Sequence, residues 1–586
     1  MDAIPEVGVA MVDGKDWESE SAGQGDPELQ RRLCPALDDA RADTAASPEK
    51  HPLVEPARCP GVVVVPVDAK HQHQHQQEDM QRTPPQPPPP LPPGKAFSQR
   101  RQLLACAAVM SIFLIGGVCI AHSSSLLPAL AAPDSDLHIE LEEGAWIASS
   151  LVLAVPLGSM LGLVLNDALG RLTLIKSTVL PQVLGWVLIA TARSLAQIVA
   201  ARFILGSSLG MANSITLLYV SEVADKNIRG GLAATGTALA SLGILLCYTM
   251  GAVLDWRTHA WANCALPALP LLLLYTLAEE SPVWLKDRGR HEAQARASTF
   301  FYNDPTKVLS AAKSPAGGAG AQKKAKALGA RTWRTLFCEP RGYKPLALVQ
   351  AIFIVQQLVG IYITIYYAVP LFLATGCTLD AYTASILVGV VRLVGCTAVS
   401  GVMARLGRRP LMLASSAGQA AAMATSGWAT MRILDGGDVS SYWVVGGVLA
   451  YIAFGCLGWQ VLPWTMMAEL FPHEVRSLAQ PINSGLAHVY MFAMLQLYPT
   501  LKKALGGAAG VQFLFAAASV LSAAFVWVWL PETRGRSLHE IEEYFEHNAC
   551  FLTERRRMRD QRRLERHRDD DDAGAAAVPL QAKEAV

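Results

Sequence analysis

The sequence predicts an all-α membrane protein in which twelve transmembrane helices form two six-helix bundles joined by a cytoplasmic linker. Three observations support this fold class. Hydrophobic residues make up 51% of the 586-residue chain and charged residues only 17%. Most charges lie in the first hundred residues, one central loop and the last fifty. Between these regions, apolar runs of about twenty residues recur, and each is long enough to cross a bilayer as a helix.

The charge balance and the cysteines exclude several other classes. Fifty Lys and Arg residues and forty-nine Asp and Glu residues leave a formal net charge of +1. Nucleic-acid binding is therefore not expected, because it requires a basic surplus. The eleven cysteines are scattered and form no Cys-x-x-Cys pair, so we expect neither a disulfide framework nor a metal site. We expect no cofactor. The predicted spans contain no nucleophile–base pair, so we do not expect an enzyme.

Residues 1–101 are expected to form a disordered cytoplasmic tail. They contain a His/Gln tract at 71–77 and a proline stretch at 84–93, a composition that cannot bury enough surface to fold. The His tract could bind a metal adventitiously, but a solvated tail is the favoured interpretation. No apolar stretch follows Met1 directly, so we expect no cleaved secretion signal.

The predicted spans fall into two sets of six on either side of a long basic connection. We assign 102–278 to the first bundle, 279–344 to the cytoplasmic linker, 345–531 to the second bundle and 532–586 to a cytoplasmic C-terminal tail. The first set is 103–121, 145–165, 172–192, 198–220, 231–254 and 261–277. The second set is 346–369, 382–403, 410–430, 443–467, 478–498 and 511–530.

Loop charges predict the orientation. The loop after the first span has five acidic residues and no Lys or Arg, whereas alternate loops and the central connection are basic. The positive-inside rule therefore places both termini in the cytoplasm of a multi-pass cell-membrane protein. Basic residues in the last fifty could contact anionic lipid, but a solvated helix is an equal alternative and the acidic run 569–572 opposes lipid binding.

The charges at the expected cytoplasmic helix ends repeat in the two halves. In each half a Gly-Arg pair follows the second span, and a Glu precedes an Arg by seven residues after the fourth. Duplicated halves are typical of parallel-repeat transporters with a central substrate site. We expect these charges to pair when the inner gate closes and to be solvated when it opens; anchoring of helix ends is the alternative. The set comprises Arg171, Glu222, Arg229, Arg405, Arg408, Arg409, Glu469 and Arg476.

Short motifs in a fixed order then indicate a family. The chain resembles the sugar porter family of the major facilitator superfamily, which includes the facilitative glucose transporters, and among these it is most similar to the arthropod facilitated trehalose transporters. The resemblance extends over residues from about 103 to 545, leaving only the tails outside. The matching segments are 201–203 with Gly206, 219–222, 229–230, 242–247, 280–284, 356–357 with 360–361 and 366–367, 406–410, 463–464, 469–472 and 531–535.

The resemblance implies the major facilitator fold, rocker-switch movement of a sugar, and three sugar contacts. Gln356 and Gln357 would hydrogen-bond the hydroxyls, and Trp464 would lie against the ring. An amide offers both donors and acceptors, and an indole face covers C–H surface, so these roles are chemically reasonable. A helix–helix hydrogen bond is the alternative role of the Gln pair.

The resemblance is weaker at the expected sugar site. Tyr362 and Arg392 stand where the family has Asn. His488 stands at the second position of an expected Asn-Trp pair, where the family has Trp. A buried cation costs at least about 3 kcal/mol unless it faces protein or water, so Arg392 either binds solute or makes a structural bond to backbone. For His488, an interhelical hydrogen bond is favoured over a role as a proton carrier. Arg202, which matches the family, is expected to make a structural or gating contact.

These observations predict a uniporter for a hexose or trehalose. No Asp or Glu lies in a predicted span interior, which disfavours proton symport and leaves His488 as the one alternative carrier. No phosphate-binding loop motif indicates ATP-driven pumping. Two rival functions remain: transport of another solute class, such as an organic anion, on the same scaffold, and a transport-inactive sugar sensor.

Overall fold

The structure, a computed structural model, describes residues 93–137, 139–302, 333–534 and 538–547. Most of the predicted N-terminal tail, including its His/Gln tract, lies outside these residues, as do residues 303–332 of the central connection and the basic and acidic C-terminal runs. The helices named below are α1 Pro93–Met110, α2 Ile112–Ala131, α3 Leu141–Leu169, α4 Arg171–Ser177, α5 Val179–Ala190, α6 Leu195–Val223, α7 Lys226–Val253, α8 Trp256–Ala265, α9 Ala268–Leu277, α10 Pro282–Asp287 and α11 His291–Tyr302.

The second half continues the all-helical pattern of the described residues. Its helices are α12 Pro340–Val359, α13 Ile363–Tyr366, α14 Ala368–Leu373, α15 Ala381–Arg405, α16 Arg408–Leu434, α17 Tyr442–Leu457, α18 Leu462–Glu469, α19 His473–Ala504, α20 Ala508–Trp529 and α21 Leu538–His547.

Ten helical stretches of the described chain are long and apolar enough to cross a membrane. Each overlaps a predicted span, and the first extends over Gln99–Ala131, ten residues beyond its predicted end. The predicted ninth and eleventh spans correspond to α16 and α19, which have 27 and 32 residues. Both are long enough to cross, but they are outside that set of ten. Ser and Gln interrupt the apolar residues of both helices, and α19 also contains Asn483.

The predicted seventh span, 346–369, is not one helix. It ends at Val359 because Gly360 adopts a left-handed conformation with φ 88°, and two short helices, α13 and α14, follow. Gly360 also lies tightly against the last long helix, since a Cβ there would stand 2.5 Å from the Phe515 ring. Only glycine satisfies both requirements without strain. The break separates the Gln pair from Tyr362 and therefore shapes the site.

The tenth span is interrupted in a corresponding way between α17 and α18. The chain leaves the helix at Gly458, where a Cβ would stand 2.6 Å from Ser415 on α16. Helical structure resumes at Leu462, with Pro463 in the first turn, where proline needs no hydrogen-bonded N–H. The interruption presents the backbone carbonyl of Trp459 to α12.

Close helix approach within a bundle depends on small residues. A Cβ on Gly206 of α6 would stand 2.0 Å from the Leu151 carbonyl oxygen, and one on Gly210 would stand 2.1 Å from that of Val155. The backbones of α3 and α6 are thus in direct contact, as small residues permit in membrane helix packing.

The two ends of the molecule can be named from these elements. The linker side is the end at which α10 contacts the C-terminal end of α3, where the Trp284 indole donates to the Asp167 carbonyl. The opposite end, where α3 begins after Glu140, is called the far side. On the linker side α21 packs against α12, since Lys344 Nζ donates to the Phe545 carbonyl at 2.8 Å and Ile541 is buried.

Candidate functional site

The two glutamines at the end of α12 lie just before the helix break. Gln356 is completely buried, and its Nε2 donates to the Trp459 carbonyl at 2.5 Å. Gln357 Nε2 is 3.5 Å from Gln356 Oε1, at the limit of a hydrogen bond. Gln356 therefore joins α12 to the interrupted tenth span, the helix–helix role considered for the pair, whereas the Gln357 amide is more weakly engaged.

Tyr362, Trp464 and His488 form one cluster drawn from three elements. The Trp464 indole Nε1 donates to the Tyr362 hydroxyl at 2.9 Å. Its ring centroid lies 5.0 Å from that of Phe353, nearly edge to face, and 5.6 Å from that of His488. Such aromatic contacts fix ring orientation. His488 Nδ1 is itself held 2.7 Å from the Ser484 carbonyl one turn earlier in α19.

Arg392 lies on a further element, α15. It is 7% exposed, and its Nε and Nη1 have no hydrogen-bond partner within the described part of the chain. Its charge is close enough to act electrostatically on the phenols of Tyr362 and Tyr248. The Tyr248 hydroxyl, from the other bundle, donates to the Ile365 carbonyl at 2.8 Å. Arg392 therefore lies where the two bundles meet.

The first charge group of the linker side is built on Arg171. Its guanidinium makes a bidentate pair with Glu222, with Nη2 2.9 Å from Oε1. The Ser281 hydroxyl donates to the same carboxylate. Glu280 accepts hydrogen bonds from the backbone N–H of Leu172, at 3.0 Å, at the beginning of α4, where the helix dipole favours a carboxylate.

The second bundle repeats this group in full. Arg408 Nη2 lies 2.8 Å from Glu469 Oε1, and Arg408 Nε lies 3.3 Å from Oε2. The Thr533 hydroxyl donates to Glu469 at 2.8 Å. Glu532 accepts from the backbone N–H groups of Arg408 and Arg409 at the beginning of α16. The repeat seen in sequence thus corresponds to two equivalent groups, and each ion pair lies within one bundle.

Three other predicted arginines, Arg202, Arg409 and Arg476, donate to backbone carbonyls. Arg202 is fully buried and donates to the Cys119 and Ile147 carbonyls, both at 3.0 Å, which ties α6 to α2 and α3. Arg409 donates to the Trp527 carbonyl at 2.5 Å, and Arg476 to that of Phe471 at 3.1 Å. Arg405 is exposed and its carbonyl accepts from Arg534; the Arg229 side chain lies outside the described residues.

Four hydrogen bonds between residues that the structure describes join the two bundles near the far side. Ser123 donates to the Tyr366 carbonyl at 3.2 Å, and Ser124 accepts from the Val369 N–H at 2.9 Å. The third is the bond from Tyr248 to Ile365, and the fourth joins Ser149 to Gln496 at 2.9 Å. Sequence reasoning missed these residues because serines near helix ends carry no distinguishing pattern. The far side is therefore closed by direct contacts between bundles.

Two buried histidines in the first bundle were also missed. His122 and His259 have ring centroids 5.0 Å apart, and neither ring nitrogen of His122 has a partner in the described residues. His122 was overlooked because the first span was predicted to end at residue 121, one position earlier. His488 was expected to be the one alternative proton carrier, and His122 and His259 are two further buried histidines in the first bundle.

Comparison with known proteins places this geometry in context. The family profile described as "Sugar (and other) transporter" matches residues 135–545. The facilitated trehalose transporter Tret1 of Aedes aegypti is 29% identical over 444 residues, 75% of this chain and 54% of the relative. That of Culex quinquefasciatus is 28% identical over 75% of this chain and 85% of the relative. This chain therefore spans about half the length of the Aedes protein.

Solved structures support the fold. The proton:xylose symporter XylE bound to 6-bromo-6-deoxy-D-glucose has a TM-score of 0.60 and 21% identity, over 77% of this chain and all of that one. An inward-open conformation of the E. coli xylose transporter XylE has a TM-score of 0.61 over 75% and 99%. The predicted fold class, a major facilitator fold, is confirmed. Because the family profile covers more than half of its residues, the chain belongs to the sugar (and other) transporter family.

Proposed function

We propose that this protein is a facilitative transmembrane transporter, a uniporter, of a sugar, either a hexose or trehalose. The observation that carries the proposal is the asymmetry between the two ends of the molecule. Direct hydrogen bonds join the bundles at the far side, whereas the ion pairs of the linker side lie within single bundles. Such an arrangement fits one state of an alternating-access cycle.

The polar groups between the closed far side and the linker side suit a polyhydroxyl solute. Gln357 offers an amide with weak internal engagement, and the Trp464 ring is half-buried beside Tyr362. The names of the relatives support a sugar, since they are trehalose and xylose transporters. We expect weak binding, on the order of 1 mM or about −4 kcal/mol, because a carrier must release its solute.

We further propose that the linker side faces the cytoplasm of a cell-membrane protein. The basic residues of that side support this orientation, and both termini would then be cytoplasmic. The five-segment division of the chain and the anionic-lipid contact of the C-terminal tail remain proposals of the same kind.

Uptake into expressing oocytes tests the proposal. Labelled glucose and trehalose should enter faster than in uninjected cells, saturate, and exchange with unlabelled sugar loaded inside. A uniporter should show the same initial rate with and without an imposed proton gradient. Binding without counterflow in proteoliposomes would contradict the transport function, and a rate that follows the proton gradient would contradict uniport and direct attention to His122, His259 and His488.

A further inference from the structure

The position of Arg392 follows from the helices that pack on either side of it. A Cβ on Gly389 would stand 3.0 Å from the Leu245 Cα of α7, and one on Gly395 would stand 2.9 Å from the Cys456 Cβ of α17. Each glycine is three residues from Arg392, so each lies about 60° from it around the helix, on opposite sides. Arg392 therefore projects between a helix of the first bundle and one of the second.

The opposite face of α15 confirms this direction. Val390 is 40% exposed and Val394 is 63% exposed, and both lie about 160° from Arg392 around the helix. Apolar residues on that face suit lipid. Arg392 thus points away from the lipid face and into the molecule.

The surroundings of Arg392 supply no counter-charge. The helix that carries it and the two that flank it, α7, α15 and α17, contain no Asp or Glu. The neighbouring phenols are already engaged, because Tyr248 donates to the Ile365 carbonyl and Tyr362 accepts from Trp464. In the described residues, the Arg392 Nε and Nη1 atoms make no hydrogen bond. A buried guanidinium in this state is costly unless an anion pairs with it.

We propose that Arg392 binds an anionic group of the solute, and that the solute class is a sugar acid: a pyranose that carries a carboxylate, such as a hexuronate. The carboxylate would pair with the guanidinium through charge-assisted hydrogen bonds. The hydroxyls and ring would be left for Gln357 and Trp464, which suit a neutral sugar ring. This inference rests on the proposed transport function and narrows its substrate.

The test compares glucuronate with glucose, which differ only in whether C6 is a carboxylate. In oocytes that express the full chain, labelled glucuronate should enter, and excess glucuronate should inhibit glucose uptake more strongly than excess unlabelled glucose does. Because a uniporter moves the carboxylate without a counter-ion, glucuronate uptake should carry a current and depend on membrane voltage. Glucose uptake should do neither.

Variants then assign the effect to Arg392. Arg392→Gln should lower glucuronate uptake by about tenfold or more relative to glucose uptake, since hydrogen bonds to charged groups change an equilibrium by roughly that factor. Arg392→Lys should retain part of the glucuronate uptake. The matched control is Arg432→Gln, which removes an exposed cation from the far-side end of α16 and should leave both rates unchanged.

Three results would overturn the proposal, and they are distinguishable. Glucose uptake that is insensitive to glucuronate, with no current, would remove the sugar-acid inference but leave sugar transport intact. Equal loss of glucuronate uptake in Arg392→Gln and Arg432→Gln would remove Arg392 from recognition. Absence of uptake and counterflow for both solutes would remove the transport function itself. If Arg392→Gln does not reach the surface, the current and competition measurements on the unmodified chain decide.

Discussion

At the scale of single residues, neighbouring glutamines have different roles. Gln356 is buried and bonded to the Trp459 carbonyl, whereas Gln357 has one long hydrogen bond. Sequence resemblance treats the two as equivalent sugar contacts. Their geometry divides them, with Gln356 holding the broken tenth span in place and Gln357 more available to a solute.

We therefore expect the two alanine variants to differ. Gln357→Ala should reduce sugar uptake with little change in thermal stability. Gln356→Ala should also lower stability, by about 1–3 kcal/mol, because it leaves a buried carbonyl without its donor. Uptake normalised to surface expression, together with the melting temperature in detergent, checks this. Equal stability losses in both variants would contradict the division of roles.

A second residue-scale prediction concerns the glycine beneath the Glu532 carboxylate. A Cβ on Gly407 would stand 2.3 Å from Glu532 Oε2, so Gly407→Ala should displace the carboxylate that accepts from the N–H groups at the beginning of α16. We expect a loss of about 1–2 kcal/mol of stability, since a helix N-cap contributes roughly that much. Gly446→Ala is the control, because it lies in α17 with no atom within 4 Å; it should not destabilise. An equal melting temperature for wild type and Gly407→Ala would show that the cap is dispensable.

At the scale of elements, breaks and caps decide what the helices present. Gly360 and Gly458 end two helices inside the membrane region, and the adjacent carbonyls of Val359 and Trp459 accept from Tyr451 and Gln356. At the far side, Asp255 caps α8 by accepting from the backbone N–H groups of Arg257, at 3.2 Å, and Thr258, at 3.1 Å. Hydrogen bonds from Thr258 and the backbone lower the pKa of Asp255 below its ordinary value of 3.8.

This lowered pKa gives the cap a pH dependence. A carboxyl with a depressed pKa in the folded state stabilises the fold above its ordinary pKa, and the contribution is lost as the pH falls through the folded value. We therefore lower the pH from 5 to a value below the ordinary carboxyl pKa of roughly 4. The free energy of unfolding should fall less for Asp255→Asn than for wild type. Thermal unfolding of the detergent-purified protein across that interval measures it. Parallel curves for the two proteins would argue against the cap as a titrating group.

At the scale of the whole molecule, the four bonds between bundles hold the far side closed. Tyr248→Phe removes the bond to the Ile365 carbonyl while keeping the ring. Because one net hydrogen bond contributes about 1 kcal/mol, the far-open population should increase by roughly fivefold. Reaction of a cysteine introduced at Gln357 with a membrane-impermeant reagent added at the far side measures this change. Tyr451→Phe, which alters a bond inside the second bundle, is the control, and equal reaction rates in both would contradict the role of Tyr248.

The sequence predicted the architecture because its signals are strong and local. Apolar runs of bilayer length and a twofold repeat of charged residues predict an all-helical major facilitator fold, and the chain has that fold. The repeat even placed Arg171 and Arg408 at equivalent positions, and their carboxylate partners Glu222 and Glu469 were in the predicted set. The seventh span was wrong as a continuous helix, since a single glycine in an apolar run carries little periodic signal.

The site was decided by tertiary structure, because partners in it are far apart in the chain. Nothing local in the sequence separates Gln356 from Gln357, shows that Tyr248 reaches the other bundle, or reveals the pair formed by His122 and His259. For Arg392, the sequence showed a cation in an apolar span and did not decide between solute binding and a structural bond to backbone. Packing against α7 and α17, which contain no Asp or Glu, turned it inward. Helix neighbours, not composition, determine which way a side chain faces.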